Sequence, residues 1–175
     1  ARDVRELPLI TLGSQFQGGN NNTIARQATN GVFVAITDLV EPHIIRRTNN
    51  RITLENAAKR RVIIVLAGDP DVSIQEDVGG ILRYKVAIEI KGGTDRSNAH
   101  NRAGEAEKSH QKAKNEGYRD FWTLIAKKGV DMAQLSQESP TTTTWFDVAE
   151  VLGQEGNDWE DFRNRIAEAT GIPLD

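Results

Sequence analysis

Asp71, Glu89 and Lys91 are the residues whose types and spacing could do chemistry together. Glu89 and Lys91 stand two apart in Tyr84–Lys91, a segment that alternates apolar and polar positions. Val86, Ile88 and Ile90 face one side; Lys85, Ala87, Glu89 and Lys91 face the other. Asp71 follows Pro70 and opens the apolar segment before it, and a turn between the two segments would lay their ends side by side. Two carboxylates and one ammonium then meet at one edge of a sheet. Two close carboxylates repel unless a cation lies between them. Mg²⁺ suits such a site, because it is hard, prefers oxygen and accepts one or two carboxylates plus phosphate and water; Mn²⁺ can substitute. The predicted chemistry is phosphodiester hydrolysis, with Lys91 orienting water or meeting developing charge. The same three residues also fit a surface ion pair beside a turn, so the spacing alone leaves both readings open.

These residues must be positioned by elements that the sequence also suggests. Val62–Leu66 is rich in β-branched residues and predicts a buried strand. Gly68-Asp69-Pro70 breaks it, a short strand runs from Asp71 to Ile74, and residues 75–80 are expected as a turn. A helix from about Asn98 to Asn115, capped by Ser97 and stopped by Gly117, puts Asn101, Glu105, Lys108 and Lys112 on one face. Glu105 is a further candidate cation ligand, and Lys108 and Lys112 are candidate phosphate contacts; a solvated helix laced by Glu–Lys pairs is the alternative. Glu55 is a candidate upstream acidic ligand, although its basic neighbours equally suggest an ion pair. His100 and His110 lack a third ligand at metal spacing and are expected to be ordinary helix residues. Residues 14–22 are expected as a polar loop, whose Gln17, Asn20, Asn21 and Asn22 could read base edges. Thr23 would cap a helix carrying Ile24, Ala28, Val32, Ile36 and Leu39. Segment 52–58 is ambiguous between helix and strand. Phe121–Ile125 is a further strand, and the remainder is expected to be helical, with Trp122, Trp145 and Trp159 in the core.

The order is helix, three strands, helix, strand, helices, which predicts an α/β fold with a central mixed sheet flanked by helices. A length of 175 residues fits a single domain, with a catalytic core at about 15–125 and a helical part at about 130–172. A hydrophobic fraction of 38% and a charged fraction of 27% are those of a globular protein. There is no cysteine, so disulfides and thiolate metal sites are excluded. No apolar run approaches the roughly 18 residues of a membrane helix. The chain starts at Ala1 and its single methionine is Met132, so a natural start is expected upstream. The net charge of −3 conceals a division: residues 1–114 hold 17 basic and 13 acidic side chains, residues 115–175 hold 5 and 12. A duplex would meet the first part, although such an asymmetry is equally common in small domains that bind no nucleic acid.

Taken together, Gly68–Val72, Ala87–Asn98, Asn101–Lys114 and Phe121–Ile125 resemble the catalytic half of XcyI-type type II restriction endonucleases, within the PD-(D/E)xK nuclease superfamily. The resemblance spans about residues 15–125. It implies a restriction-endonuclease-like fold, Mg²⁺-dependent cleavage of double-stranded DNA at a short palindrome, a homodimer, and a place in the prokaryotic cytoplasm. Carried over by position, Asp71, Glu89 and Lys91 form the catalytic set. Arg96, Asn98, Asn101 and Arg102 join Lys108 and Lys112 as expected DNA contacts. A structure-specific nuclease, or a DNA-binding domain with a vestigial site, would share the same fold.

Overall fold

A computed structural model describes residues 7–93 and 98–173, with side chains from residue 22 onward. Helix α1 (Leu7–Val40) leads, through a 3-10 turn at Glu41–His43, into five consecutive strands: β1 (Ile44–Arg47), β2 (Arg51–Glu55), β3 (Arg61–Leu66), β4 (Val72–Val78) and β5 (Ile81–Lys91). Then follow α2 (Ala99–Glu116), β6 (Asp120–Ile125), α3 (Met132–Glu138), β7 (Thr144–Asp147), α4 (Val148–Gly153) and α5 (Asn157–Thr170). The strands form one seven-stranded sheet in sequence order. Strands β1 to β5 pair antiparallel, and β5–β6 and β6–β7 pair parallel. This is the mixed sheet flanked by helices that the sequence predicts, consistent with a restriction-endonuclease-like fold.

Alternation decides which face each strand buries. Ile52, Leu54, Val62, Ile64, Val72, Ile74, Val86, Ile88 and Ile90 form one continuous apolar layer against α1, α4 and α5. Trp122, Phe146 and Phe162 stack edge-on in its centre, with ring centroids 5.2–6.1 Å apart. Each such side chain contributes about 1.5–3 kcal/mol through burial. The opposite face is covered by α2, whose Ala99, Ala103, Ala106, His110 and Ala113 recur every three or four residues and are all buried. Among them, small methyl groups meet Ala87, Phe121 and Ile125 of the sheet.

Several elements differ from the sequence reading. Residues 14–22 belong to α1 instead of forming a loop. Their glycines and asparagines cost up to about 1 kcal/mol each in a helix, but extending a helix already nucleated on a packed face is cheap. Pro8 lies in the first turn, where it is tolerated. The side chains of Gln17, Asn20 and Asn21 lie outside the described residues. Residues 75–78 continue β4 instead of turning, and the turn is only Gly79-Gly80. Segment 51–55 is a strand, β1 and β7 were not anticipated, and Trp145 lies on β7, half-buried. Ser97, the expected cap of α2, lies outside the described residues.

Candidate active site

Strand register brings the chemistry-bearing residues together. Val72 pairs with Ile88, so Asp71, one residue earlier, comes opposite Glu89. The Asp71 Oδ2 accepts a hydrogen bond from the Ile90 backbone N–H at 2.7 Å. The Glu89 carboxylate and the Lys91 ammonium are 2.9 Å apart. The cluster lies at the ends of β4 and β5, in the middle of the sheet, so the edge in question is formed by strand ends and not by an outer strand. Glu89 is 3% exposed, and this distinguishes the pair from an ordinary surface ion pair.

The electrostatics are those of a site short of positive charge. Burial, then repulsion from Glu89, pushes the Asp71 carboxyl up to about 6. Burial opposes the charge of Lys91, yet Glu89, Asp71 and Glu105 more than offset it, and the ammonium is held above its usual range. Glu89 Oε1 is buried without a hydrogen-bond partner among the described residues. An unpaired carboxylate oxygen beside a second carboxylate is an all-oxygen donor set with room for a hard cation. Among the described residues no group of three or more His, Asp or Glu side chains is arranged to hold a metal.

The cluster opens into a cavity of about 680 Å³ between α1 and α2. Asp71 and Lys91 line it, together with Asn98, Asn101, Arg102 and Glu105 from the start of α2 and Asn22, Arg26, Thr29 and Asn30 from α1. Gly92 explains how α1 gets so close: a Cβ there would lie 2.8 Å from that of Ala28. Gly93, at φ +107°, turns the chain away, and its carbonyl accepts from Arg102 Nη1 at 3.0 Å. Asp69, two residues before Asp71, accepts hydrogen bonds from Ser109 and from Lys112, the latter at 2.7 Å. These contacts fasten the Asp71 loop to α2. A hollow of about 760 Å³ at the other end of β5 has no comparable carboxylate pair; its Glu76 is neutralised by Arg60 and Lys85.

The other candidates fall in different places. Glu55 is at the far end of β2, whose register runs Glu55–Arg61–Asp77, and it pairs with Lys59 at 2.9 Å. The fold does not bring it to Asp71. Lys108 is exposed on α2 outside the cavity. Arg96 lies outside the described residues. His110 is fully buried, its Nε2 2.9 Å from Thr123 Oγ1, and burial pushes it down to about 4, so it is neutral at physiological pH. His100 contacts Glu138. Arg26 and Asn30 were not anticipated. Their signal was a polar stripe at helical spacing through Asn22, Arg26 and Asn30, opposite the apolar one.

The raised carboxyl has a measurable consequence. The Asp71 pKa rises from 3.8 to about 6 on folding, so the folded state holds this proton more tightly. The resulting stabilisation is complete below about pH 4 and is lost as pH rises through about 6. Asp71→Asn keeps a neutral acceptor for the Ile90 N–H. In EDTA it should be more stable than the parent at pH 7.5, by on the order of 2 kcal/mol, and nearly equal at pH 4.5. Urea unfolding at both pH values tests this; a difference independent of pH would contradict it.

Comparisons with known proteins show the family to which the chain belongs. A family model described as XcyI restriction endonuclease matches residues 2–173. The chain is 40% identical over 168 residues to the type II restriction enzyme Cfr9I of Citrobacter freundii, covering 95% of this chain and 51% of that one. It is 38% identical over 169 residues to the type II restriction enzyme XcyI of Xanthomonas campestris pv. cyanopsidis, covering 96% and 51%. The chain thus spans about half the length of these curated relatives. No solved structure matches. With nearly its whole length matched, the chain belongs to the XcyI restriction endonuclease family.

Proposed function

We propose that this chain is the nuclease domain of a type II restriction endonuclease, cleaving both strands of duplex DNA at a short palindrome with Asp71, Glu89 and Lys91 as its catalytic residues. The observation that carries this reading is the half-buried Asp71 facing the buried Glu89 with Lys91 beside them, opening into a polar cavity, in a member of this family. Asp71 and Glu89 would hold Mg²⁺ or Mn²⁺, with Glu105 on the cavity wall as a further carboxylate that could assist. When bound, the cation supplies Lewis-acid polarisation of the scissile phosphate. The chain's own groups do the rest. Lys91, kept charged by its acidic neighbours, meets the negative charge that develops on the phosphate and orients the attacking water. Asn98, Asn101, Arg102 and Asn22 line the cavity that would receive the substrate, and exposed Lys108 is a candidate contact to a neighbouring phosphate, whereas Lys112 is already paired with Asp69. Two copies, one active site for each strand of a palindrome, form the simplest assembly.

Incubation of the chain with long mixed-sequence DNA tests this. Mg²⁺ should give discrete bands, Ca²⁺ should support binding with little cutting, and EDTA should give none. Full cleavage in EDTA would refute the metal assignment. A preference for branched over linear duplexes would favour a structure-specific nuclease.

A further inference from the structure

We infer that strands β1–β3 form a wing whose solvent face grips the DNA backbone beside the cavity, with Arg46 and Arg51 as its principal phosphate contacts and Arg61 as a weaker third. This inference rests on the nuclease reading above. Helix α2 packs on β5 and β6, and among the described residues no helix makes substantial contact with the face of β1–β3 opposite the core. A groove of about 690 Å³ crosses it, lined by Arg46, Arg51 and Arg61 with Thr48, Thr53 and Asp77. None of the three arginines has an ion-pair partner among the described residues. Arg61 is flanked in register by Glu55 and Asp77, which weaken its pull on an anion. Arg46 and Arg51 have no acidic neighbour in register: they stand opposite Thr53 and Val65.

The backbone itself places Arg46 there. Ile44 pairs with Leu54, whose side chain enters the core, and simple alternation would send Arg46 to that same face. A β-bulge between Ile44 and Arg46 shifts the register by one, so that Arg46 comes opposite Thr53 on the solvent face. The same shift sets Arg47 opposite Ile52, so the bulge selects which of the two arginines joins Arg51 and Arg61 in the groove, and three guanidinium groups along one groove suit an anionic ligand.

The register also places the wing relative to the site. Arg51 pairs with Val65, which pairs with Ser73, two residues from Asp71. Strands are spaced ~4.8 Å apart, so Arg51 stands about 10 Å and Arg46 about 14 Å laterally from β4. That reach equals the rise of about three to four base pairs. The wing therefore fits phosphates flanking the cleaved step and not the cleaved phosphate, and a row of phosphates explains unpaired guanidinium groups better than a single small anion.

Binding of the 175-residue chain to a 30-base-pair mixed-sequence duplex in Ca²⁺, followed by fluorescence anisotropy across a salt series, tests this. In Arg46→Ala and Arg51→Ala the log–log salt slope should flatten by about 0.9 each, and in Arg61→Ala by less. Arg46→Lys and Arg51→Lys should restore most of the slope, because a counterion-release effect follows charge. An unchanged slope in the double alanine variant, with the parent binding and cutting DNA, would overturn the wing while leaving the nuclease reading intact. Slope loss that lysine does not restore, accompanied by a lowered melting temperature, would also overturn it, since the arginines would then be structural. A parent chain that neither binds nor cuts duplex DNA would overturn the nuclease reading, and the wing with it.

Discussion

Asp71→Ala should reduce DNA cleavage by at least about a thousandfold while leaving duplex binding in Ca²⁺ within a few-fold of the parent. The loss is large because Asp71 and Glu89 form the facing pair that a cation would join, and Lewis-acid stabilisation of phosphoryl transfer is worth several kcal/mol, with each 1.36 kcal/mol worth tenfold in rate. Binding survives because phosphate contacts elsewhere supply most of the affinity. Cleavage kinetics at saturating Mg²⁺ and anisotropy in Ca²⁺ separate the two quantities. Equal losses of cleavage and binding would make Asp71 a DNA-positioning residue and move the catalytic assignment elsewhere.

Trp122→Ala should be the most destabilising of the single substitutions considered, costing about 3–5 kcal/mol. Trp122 is 1% exposed, sits on β6 between β5 and β7, and contacts both Phe146 and Phe162. For a chain of this size the melting temperature should fall by roughly 10 °C or more. Trp122→Phe should cost much less. It keeps most of the aromatic packing and removes the indole N–H, which has no hydrogen-bond partner among the described residues. Thermal unfolding of both variants decides this; equal losses would mean that the buried N–H does not weaken the parent.

What could be read from the sequence follows a physical division. The Val86–Lys91 alternation survives into the structure because successive strand side chains point to opposite faces: Val86, Ile88 and Ile90 join the main core and Ala87 the cluster on the other side, both faces being buried, and Glu89 and Lys91 share one face. Helix α2 was legible for the same reason at period 3.6, together with Gly117 at its end. Strand β1 was not legible, because an edge strand reading Ile-Ile-Arg-Arg has little apolar patterning and owes its existence to pairing with β2. The second half of β4 was read as a turn because Gln75, Glu76 and Asp77 are polar. Glu76 is nevertheless 6% exposed, held by Arg60, Lys85 and Asn56 from other segments. The polar loop expected at 14–22 was a local propensity overruled by helix propagation. At the site, the part carried by β4 and β5 could be foreseen, and the part supplied by α1 could not. Arg26 reaches the cavity only because Gly92 lets two distant segments touch.

The alanine seam of α2 acts as a gauge block. Ala99, Ala103, Ala106 and Ala113 do no chemistry, yet the thickness of a methyl group fixes how high the helix rides above the sheet. Glu105, Asn101 and Arg102 are carried on the same rod, so their distance to the carboxylate pair is machined by residues that never meet the substrate. A larger side chain at Ala103, which is 0% exposed, would lift the whole rod and every tool mounted on it at once. The tolerance of this site is therefore written in its least reactive residues.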